Sequence, residues 1–350
     1  MSDKMKVVAI RGAKQAAVEE VNRPVCGPEQ VLVRIEGCAI CTWEQRVYAS
    51  GKFKMPFLGG HEVVGRVVEM GSKVRTKEYK VGDRVAVSVI NSCGTCYYCR
   101  KGEENLCTDS YANLSEEFGM NGPGGFAQYK AISPSKLWKF NEDLPWEYGT
   151  FSEPLACVCN SVKKAHIALG DDVVVIGGGI MGLLHVAVAK LSGAKVILSE
   201  IDPKRRAIAE ELGADITFNP LEKDPVEFVK SLTEGRGADV VFDTTAIASV
   251  AAQGIEMTGN MGRFIMYSSV KPDDPIALSA DKLHSSEKVI TGTVSPSIQS
   301  FDTAVRLLNK GLVNPEKLIY GIYGLDKINE AFEDSIRPDT FRVIIDFRED

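Results

Sequence analysis

Val173-Val174-Val175-Ile176-Gly177-Gly178-Gly179-Ile180-Met181-Gly182 is the stretch whose reading decides the fold. Four apolar β-formers run straight into a glycine turn, and an apolar-periodic stretch follows to Leu191. The glycine pattern alone is a weak signal; set between a buried strand and a helix it becomes a dinucleotide-binding fingerprint. Gly177 permits the tight turn, Gly179 lets the backbone approach a pyrophosphate, and Gly182 allows close helix-strand packing. The helix N-terminus then offers N–H donors and partial positive charge to the phosphates. Beyond it come strand Lys195–Ser199, helix Pro203–Leu212, strand Ile216–Phe218, helix Pro225–Glu234, strand Asp239–Asp243, helix Ile247–Met257 and strand Phe264–Tyr267. That alternation predicts a parallel sheet with helices on both faces. The second strand ends at Glu200, 21 positions after Gly179, where a carboxylate accepts from both ribose hydroxyls and repels a 2′-phosphate. NAD is therefore expected over NADP, although Arg205 and Arg206 stand near enough to hold a 2′-phosphate.

The first half reads differently. Lys6–Ile10, Gln30–Gly37, Glu62–Met70 and Asp83–Ile90 alternate apolar and polar residues between proline- and glycine-rich turns, which predicts an all-β lobe. After about Ser295 come amphipathic helices at Ser300–Lys310 and Leu325–Asp334 and a last strand, Arg342–Phe347, a tail expected to fold back onto the first lobe.

Within the β lobe stands Gly59-Gly60-His61-Glu62, and Cys41 lies 20 positions before His61. A cysteine, a histidine and one or two carboxylates leave one position open on zinc, as a catalytic site requires. Cys93, Cys96, Cys99 and Cys107 carry the most specific spacing in the chain. Four thiolates can close a tetrahedral zinc with no open position, which makes a structural clamp; an iron–sulfur cluster or free thiols are the other readings of that loop.

A chain of 350 residues is long for one domain, so two are expected. A net charge of -6 without a basic stripe argues against nucleic acid. No run approaches the roughly 18 apolar residues of a membrane span, and the first ten residues lack the signature of a signal peptide. An odd count of nine cysteines suits metal and thiol use better than a disulfide framework. A soluble cytoplasmic protein is expected.

With these features placed, the chain resembles the zinc-containing medium-chain alcohol dehydrogenases, in particular the polyol (sorbitol-like) and threonine dehydrogenase branch. The matching stretches are Cys41, Gly59–Glu62, Val81–Val85, the Cys93–Cys107 loop, Gly124–Tyr129, Glu153-Pro154-Leu155 and Gly177–Gly182. The resemblance implies a GroES-like β-barrel catalytic domain (1–157, with the structural zinc loop at 91–108, and 295–350) interrupted by a Rossmann NAD-binding domain (158–294). It implies a cleft holding zinc, substrate and nicotinamide, and a homodimer or homotetramer. Cys41 and His61 become catalytic zinc ligands; Glu62 and Glu153 contend for the remaining protein position. Ile180, Met181, Arg205, Ser268 and Val270 join Gly177, Gly179, Gly182 and Glu200 as cofactor-binding positions. The implied reaction is oxidation of a secondary alcohol of a polyol or sugar derivative, with threonine or a polyol phosphate as alternative substrates. A non-catalytic dinucleotide-binding protein on the same fold is the reading of another class.

The chain also departs from that family. Relatives follow the first zinc cysteine with Gly, Ser or Thr, Asp and, two further on, His; here Trp43 replaces the hydroxyl, Glu44 the aspartate and Arg46 the histidine. The usual proton relay is thereby altered, and Glu44, Glu153 or water are the groups left to carry the proton. Trp43 either narrows the pocket and stacks on a sugar face or packs between lobes. Arg46 with Lys52 and Lys54 forms either an anion site or a solvated face. Phe118 and Ser295 are expected at the pocket edge, and His185 and Cys38 as packed core residues.

Overall fold

The computed structural model describes residues 4–89, 91–110 and 117–348. The first unit contains β1 (Lys4–Gly12), β2 (Gln15–Asn22), β3 (Val31–Ala39), α1 (Thr42–Ser50), β4 (Glu62–Met70), β5 (Arg84–Val87), β6 (Tyr129–Ile132) and β7 (Leu137–Lys139). Helix α2 (Ser152–Ala165) carries the chain into the second unit, Cys157–Ser295. There follow β8 (Asp172–Ile176), α3 (Ile180–Leu191), β9 (Lys195–Ser199), α4 (Pro203–Glu211), β10 (Ile216–Phe218), α5 (Pro225–Leu232), β11 (Ala238–Asp243), α6 (Ala248–Met257), β12 (Thr258–Met266), α7 (Ala280–Ser286) and β13 (Val289–Gly292). The chain returns to the first unit through α8 (Ile298–Asn309), β14 (Ile319–Tyr323), α9 (Ile328–Ser335) and β15 (Arg342–Asp346).

In the first unit the strands run in the order β14-β15-β3-β4-β5-β7, with β6 also paired to β3 and β1-β2 as a separate hairpin. The last strand, β15, lies antiparallel to β3, with Ile344 opposite Ala39. Val33, Ile35, Val63, Val67, Phe126, Val343 and Phe347 fill the interior. The expected strand to Ile90 ends at Val87, and Ile90 lies outside the described residues. Strands β2, β6, β7, β13 and β14 and helices α1, α2 and α7 escaped the sequence reading, and two of them show why. Strand β2 buries only Ala16 and leaves Gln15, Val18, Glu20 and Asn22 exposed. Helix α1 is short, buries only Glu44, Val47 and Tyr48, and stops at Gly51 in the left-handed region (φ 61).

The second unit is a parallel sheet in the order β10-β9-β8-β11-β12-β13. Strand β8 is buried throughout, as its unbroken Asp172–Ile176 run of apolar residues after the first requires. The strand order reverses between β8 and β11, the switch point at which open α/β sheets bind ligands. Helices α4 and α5 each begin with an aspartate cap and a proline, Asp202-Pro203 and Asp224-Pro225, whose carboxylates accept first-turn N–H groups.

His185 is buried inside this unit, its ring 4.7 Å from those of both Phe242 and Tyr267. The Met181 carbonyl 2.7 Å from Nδ1 can only accept, so Nδ1 carries the proton and Nε2 accepts from the Ser161 hydroxyl at 2.9 Å. Burial lowers its pKa to about 4. Between about pH 6.5 and 4 the unfolded chain therefore binds a proton that the folded chain refuses, so stability falls with falling pH. The shift corresponds to about 3 kcal/mol across that window. Urea unfolding at pH 7 and pH 4.5 should show a smaller acid loss in His185→Gln than in the unsubstituted protein; equal losses would place the titration elsewhere.

Candidate active site

Strands β3 and β4 pair antiparallel with Ala39 opposite Glu62. That register brings Cys41, two residues past the end of β3, across from His61 and Glu62. Cys41 also stands at the N-cap of α1 without a side-chain capping hydrogen bond, and burial raises its thiol pKa against the opposing pull of His61. The donor atoms of Cys41, His61 and Glu62 all lie within 4.8 Å of one another.

Glu44, in the first turn of α1, is completely buried. One of its oxygens, Oε1, accepts from His61 Nδ1 at 2.8 Å and from the Gly60 backbone at 2.9 Å. This fixes the ring and leaves Nε2 for a metal, the arrangement by which carboxylates orient histidine ligands. Two glycines make room for it. A Cβ on Gly59 would stand 2.8 Å from Glu44 Cγ, and one on Gly60 (φ 90) would stand 2.5 Å from the Phe126 backbone nitrogen. Glu44 was expected among the proton-handling groups; its enclosure gives it a positioning task.

Glu62 faces Arg342 of β15, whose guanidinium nitrogen lies 2.8 Å from Oε1. The approach is an ion pair without hydrogen-bond alignment, and both Glu62 oxygens remain buried without a hydrogen bond. Burial pushes the Glu62 carboxyl up to about 7 against the opposing pull of Arg342 and His61. Burial alone would lower His61, but Glu44 and Cys41 outweigh it and raise its pKa well above that of a free imidazole. A pocket that stabilises a proton on His61 and leaves carboxylate oxygens unpartnered fits a metal cation. Among the described residues Glu153 stands outside the closed donor group; from the first turn of α2 its charge acts on Glu62 and Arg342.

Arg342 is the residue that sequence reasoning missed. It is 3% exposed, and it also donates to the Ile40 carbonyl at 3.2 Å. An arginine opening a buried β-strand was the available signal.

The four loop cysteines are free thiols whose sulfurs lie within 4.8 Å of one another. A tetrahedral site with Zn–S bonds of about 2.3 Å spaces its sulfurs by roughly 3.8 Å, and Cys93 and Cys99 are 3.9 Å apart. Backbone N–H groups of Cys93 and Cys96 point at neighbouring sulfurs at 3.3 and 3.2 Å. Those of Cys99 and Thr108 hold the Cys96 thiol down to about 6. The loop fits a closed tetrathiolate metal site.

At the glycine turn three glycines have three reasons. Gly177 sits at φ 97, which side chains rarely adopt. A Cβ on Gly182 would collide with the Gly177 carbonyl oxygen, whereas one on Gly179, the cap of α3, would meet nothing within 4 Å. Ile180 and Met181 follow in the first turn of α3 and are half-buried. Glu200 accepts from the Gly178 and Asp202 backbones, which ties the end of β9 to the turn. Arg206 donates to the Glu200 and Ile201 carbonyls at 2.8 Å, so it closes the strand end, while Arg205 lies beside Gly178. Ser268 and Val270 are half-buried in the loop after β12. Ser295 holds a left-handed backbone (φ 53) and accepts from Asn160 at 2.9 Å.

Around His61 the Trp43 ring lies 5.8 Å away. Phe118, at φ 61, packs against the β-lobe core. Arg46 and Lys52 are exposed.

Comparison with known proteins gives this geometry a family. Residues 27–142 match the alcohol dehydrogenase GroES-like domain and residues 181–310 match the zinc-binding dehydrogenase domain. An L-threonine 3-dehydrogenase of Pyrococcus abyssi is 34% identical over 95% of this chain and 96% of its own. The chain belongs to the zinc-dependent alcohol dehydrogenase family. The erythritol/L-threitol dehydrogenase of Mycolicibacterium smegmatis is 34% identical over 76% of each chain. A solved zinc-binding dehydrogenase of Sinorhizobium meliloti, bound to NADP, superposes with a TM-score of 0.88 at 29% identity, covering 99% of this chain and 100% of the other.

In this dehydrogenase Gly179→Ala should leave the unfolding midpoint unchanged while weakening dinucleotide binding at least about tenfold, read by NADH fluorescence titration. Gly182→Ala should instead lower stability by about 1–3 kcal/mol. Undiminished binding by Gly179→Ala would move the pyrophosphate away from this turn.

Proposed function

We propose that this dehydrogenase oxidises a secondary alcohol of a polyol or sugar derivative to the ketone, with NAD as hydride acceptor. The closed Cys41–His61–Glu62 donor group, with a ring-fixing carboxylate behind it, carries the reading. Cys41, His61 and a carboxylate from Glu62 or Glu153 would hold the catalytic zinc, and Cys93, Cys96, Cys99 and Cys107 the structural one. Bound there, zinc acidifies a hydroxyl or polarises a carbonyl, and the nicotinamide takes the hydride.

The residues of the chain do the rest. Glu44 keeps His61 Nε2 turned toward the donor group. Arg342 compensates Glu62. With Glu44 enclosed, Glu153 and water are the groups left to accept the alcohol proton. Gly179 and the α3 N-terminus offer N–H donors for phosphates. The buried Glu200 carboxylate supports NAD over NADP, since a 2′-phosphate beside it meets like charge.

L-Threonine is the second reading, supported by the name of the Pyrococcus abyssi relative. A homo-oligomer is supported by half-exposed Val289 and Val294 along and beside the sheet-edge strand β13. A reducing, cytoplasmic setting is supported by nine free thiols.

Metal analysis should find about two zinc ions per chain, falling to about one in Cys41→Ser. That variant should lose turnover and keep NADH binding; retained turnover would remove Cys41 from the chemistry. Glu200→Ala should raise the NADP-to-NAD ratio of kcat/KM by tenfold or so, and an unsubstituted protein already preferring NADP would refute the cofactor assignment. A panel of polyols, sugars, threonine and polyol phosphates, followed by NADH absorbance, tests the substrate class.

A further inference from the structure

Three aromatic side chains gather where the first turn of α1 meets the zinc-site histidine. Trp43 is two residues from Cys41, and its ring centroid is 5.8 Å from that of His61 at an interplanar angle of 49°. Phe57 meets the indole edge-to-face at 5.5 Å and Phe53 at 6.0 Å, and these two meet each other at 4.9 Å. Phe57 is completely buried and anchors the group, whereas Phe53 is 38% exposed and Trp43 keeps part of its surface open. The indole is thus braced by three rings, and its plane is set before any substrate arrives.

We propose that Trp43 is a specificity-determining platform that selects a ring-shaped secondary alcohol, one presenting a flat face of C–H bonds beside the reacting carbon, over an open-chain one. The inference rests on the alcohol-oxidising reading above and names the substrate class within it. His61 would hold the zinc through Nε2, so an alcohol bound at that metal would react close to the imidazole, and the indole of Trp43 already lies against that ring. An indole contributes area and a negative π-face, and its one polar group is an N–H donor. It cannot accept the alcohol proton, but it attracts the weakly positive hydrogens on one side of a six-membered ring. A rigid ring meets a rigid plane with little ordering cost, while an open chain loses rotamer freedom to make the same contact.

The test compares matched pairs in the zinc-loaded protein with NAD: cyclohexanol against an open-chain secondary hexanol, and myo-inositol against sorbitol, with L-threonine alongside. The unsubstituted protein should prefer the ring member of each pair. Trp43→Ala should lower kcat/KM for the ring members at least about tenfold, chiefly through KM, and change the open-chain members about threefold or less; Trp43→Phe should retain most of the preference. An open-chain or threonine preference in the unsubstituted protein overturns the proposal, as does an equal fall for both members of each pair in Trp43→Ala. Binding is read separately as a blue shift of indole emission when cyclohexanol displaces water from the ring, and the shifted component should vanish in Trp43→Phe. If no alcohol is turned over, the alcohol-oxidising reading fails while the emission shift still decides the platform; a shift unchanged in Trp43→Phe overturns it.

Discussion

The Glu44 carboxylate gripping His61 is the interaction on which the site depends. One oxygen accepts from both the His61 ring and the Gly60 backbone. The bond thus fixes the orientation of the His61 ring and the path of the chain entering β4. Gly59 follows from it, because a side chain there would press on Glu44 itself, while Gly60 is required separately by the Phe126 backbone and its left-handed φ. The helix bearing Glu44 begins at Cys41, so one short element supplies the thiolate, the carboxylate that aims the imidazole, and the indole beside it.

Charge explains why the rest of the neighbourhood is built as it is. Glu44, Glu62 and Glu153 bring carboxyl groups to a buried region that they share with Arg342. Isolated carboxylates cannot stay ionised at such burial. Protons answer part of the excess, which is why His61 holds its proton strongly and Glu62 is pushed up to about 7. A divalent cation answers it better, since it replaces those protons and satisfies the two Glu62 oxygens left without hydrogen bonds. Arg342 comes from the last strand, so the charge balance requires β15 to lie beside β3. The strand that completes the sheet thus also supplies the cation that faces Glu62.

What was legible in the sequence followed from periodicity and from residues with a single physical purpose. The unbroken apolar run of β8 and the strand–helix alternation after it announced a parallel sheet, because such strands are covered on both faces. The turn glycines were readable because each answers a different steric demand. Cys41, His61 and the loop cysteines were readable because metal chemistry restricts both residue type and spacing. Arg342 was not, since its partner Glu62 lies 280 positions away and nothing local marks the pair. Helix α1 was hidden because its buried face consists of Glu44, Val47 and Tyr48, a pattern with a carboxylate where an apolar residue would signal a helix. The task of Glu44 was hidden for the same reason: sequence shows a carboxylate near a histidine, and only the fold shows that it is sealed behind it.

The surroundings of the donor group are unequal in a way that bears on how a substrate is oriented. Glu62, Arg342 and Glu153 supply charge, whereas Trp43, Phe53 and Phe57 supply rings. Polar contacts resist displacement of a hydroxyl by a fraction of an ångström, because hydrogen bonds weaken steeply with angle. Ring contacts resist tilt while tolerating slide, because dispersion and quadrupole terms vary slowly along a flat face. A molecule held at its hydroxyl by directional polar contacts and along its body by a plane would have little freedom left except rotation about the bond that joins the two. Hydride transfer demands that the C–H bond point one way, and under the platform proposal a charged end and an aromatic wall would together supply an orientation that neither could supply alone.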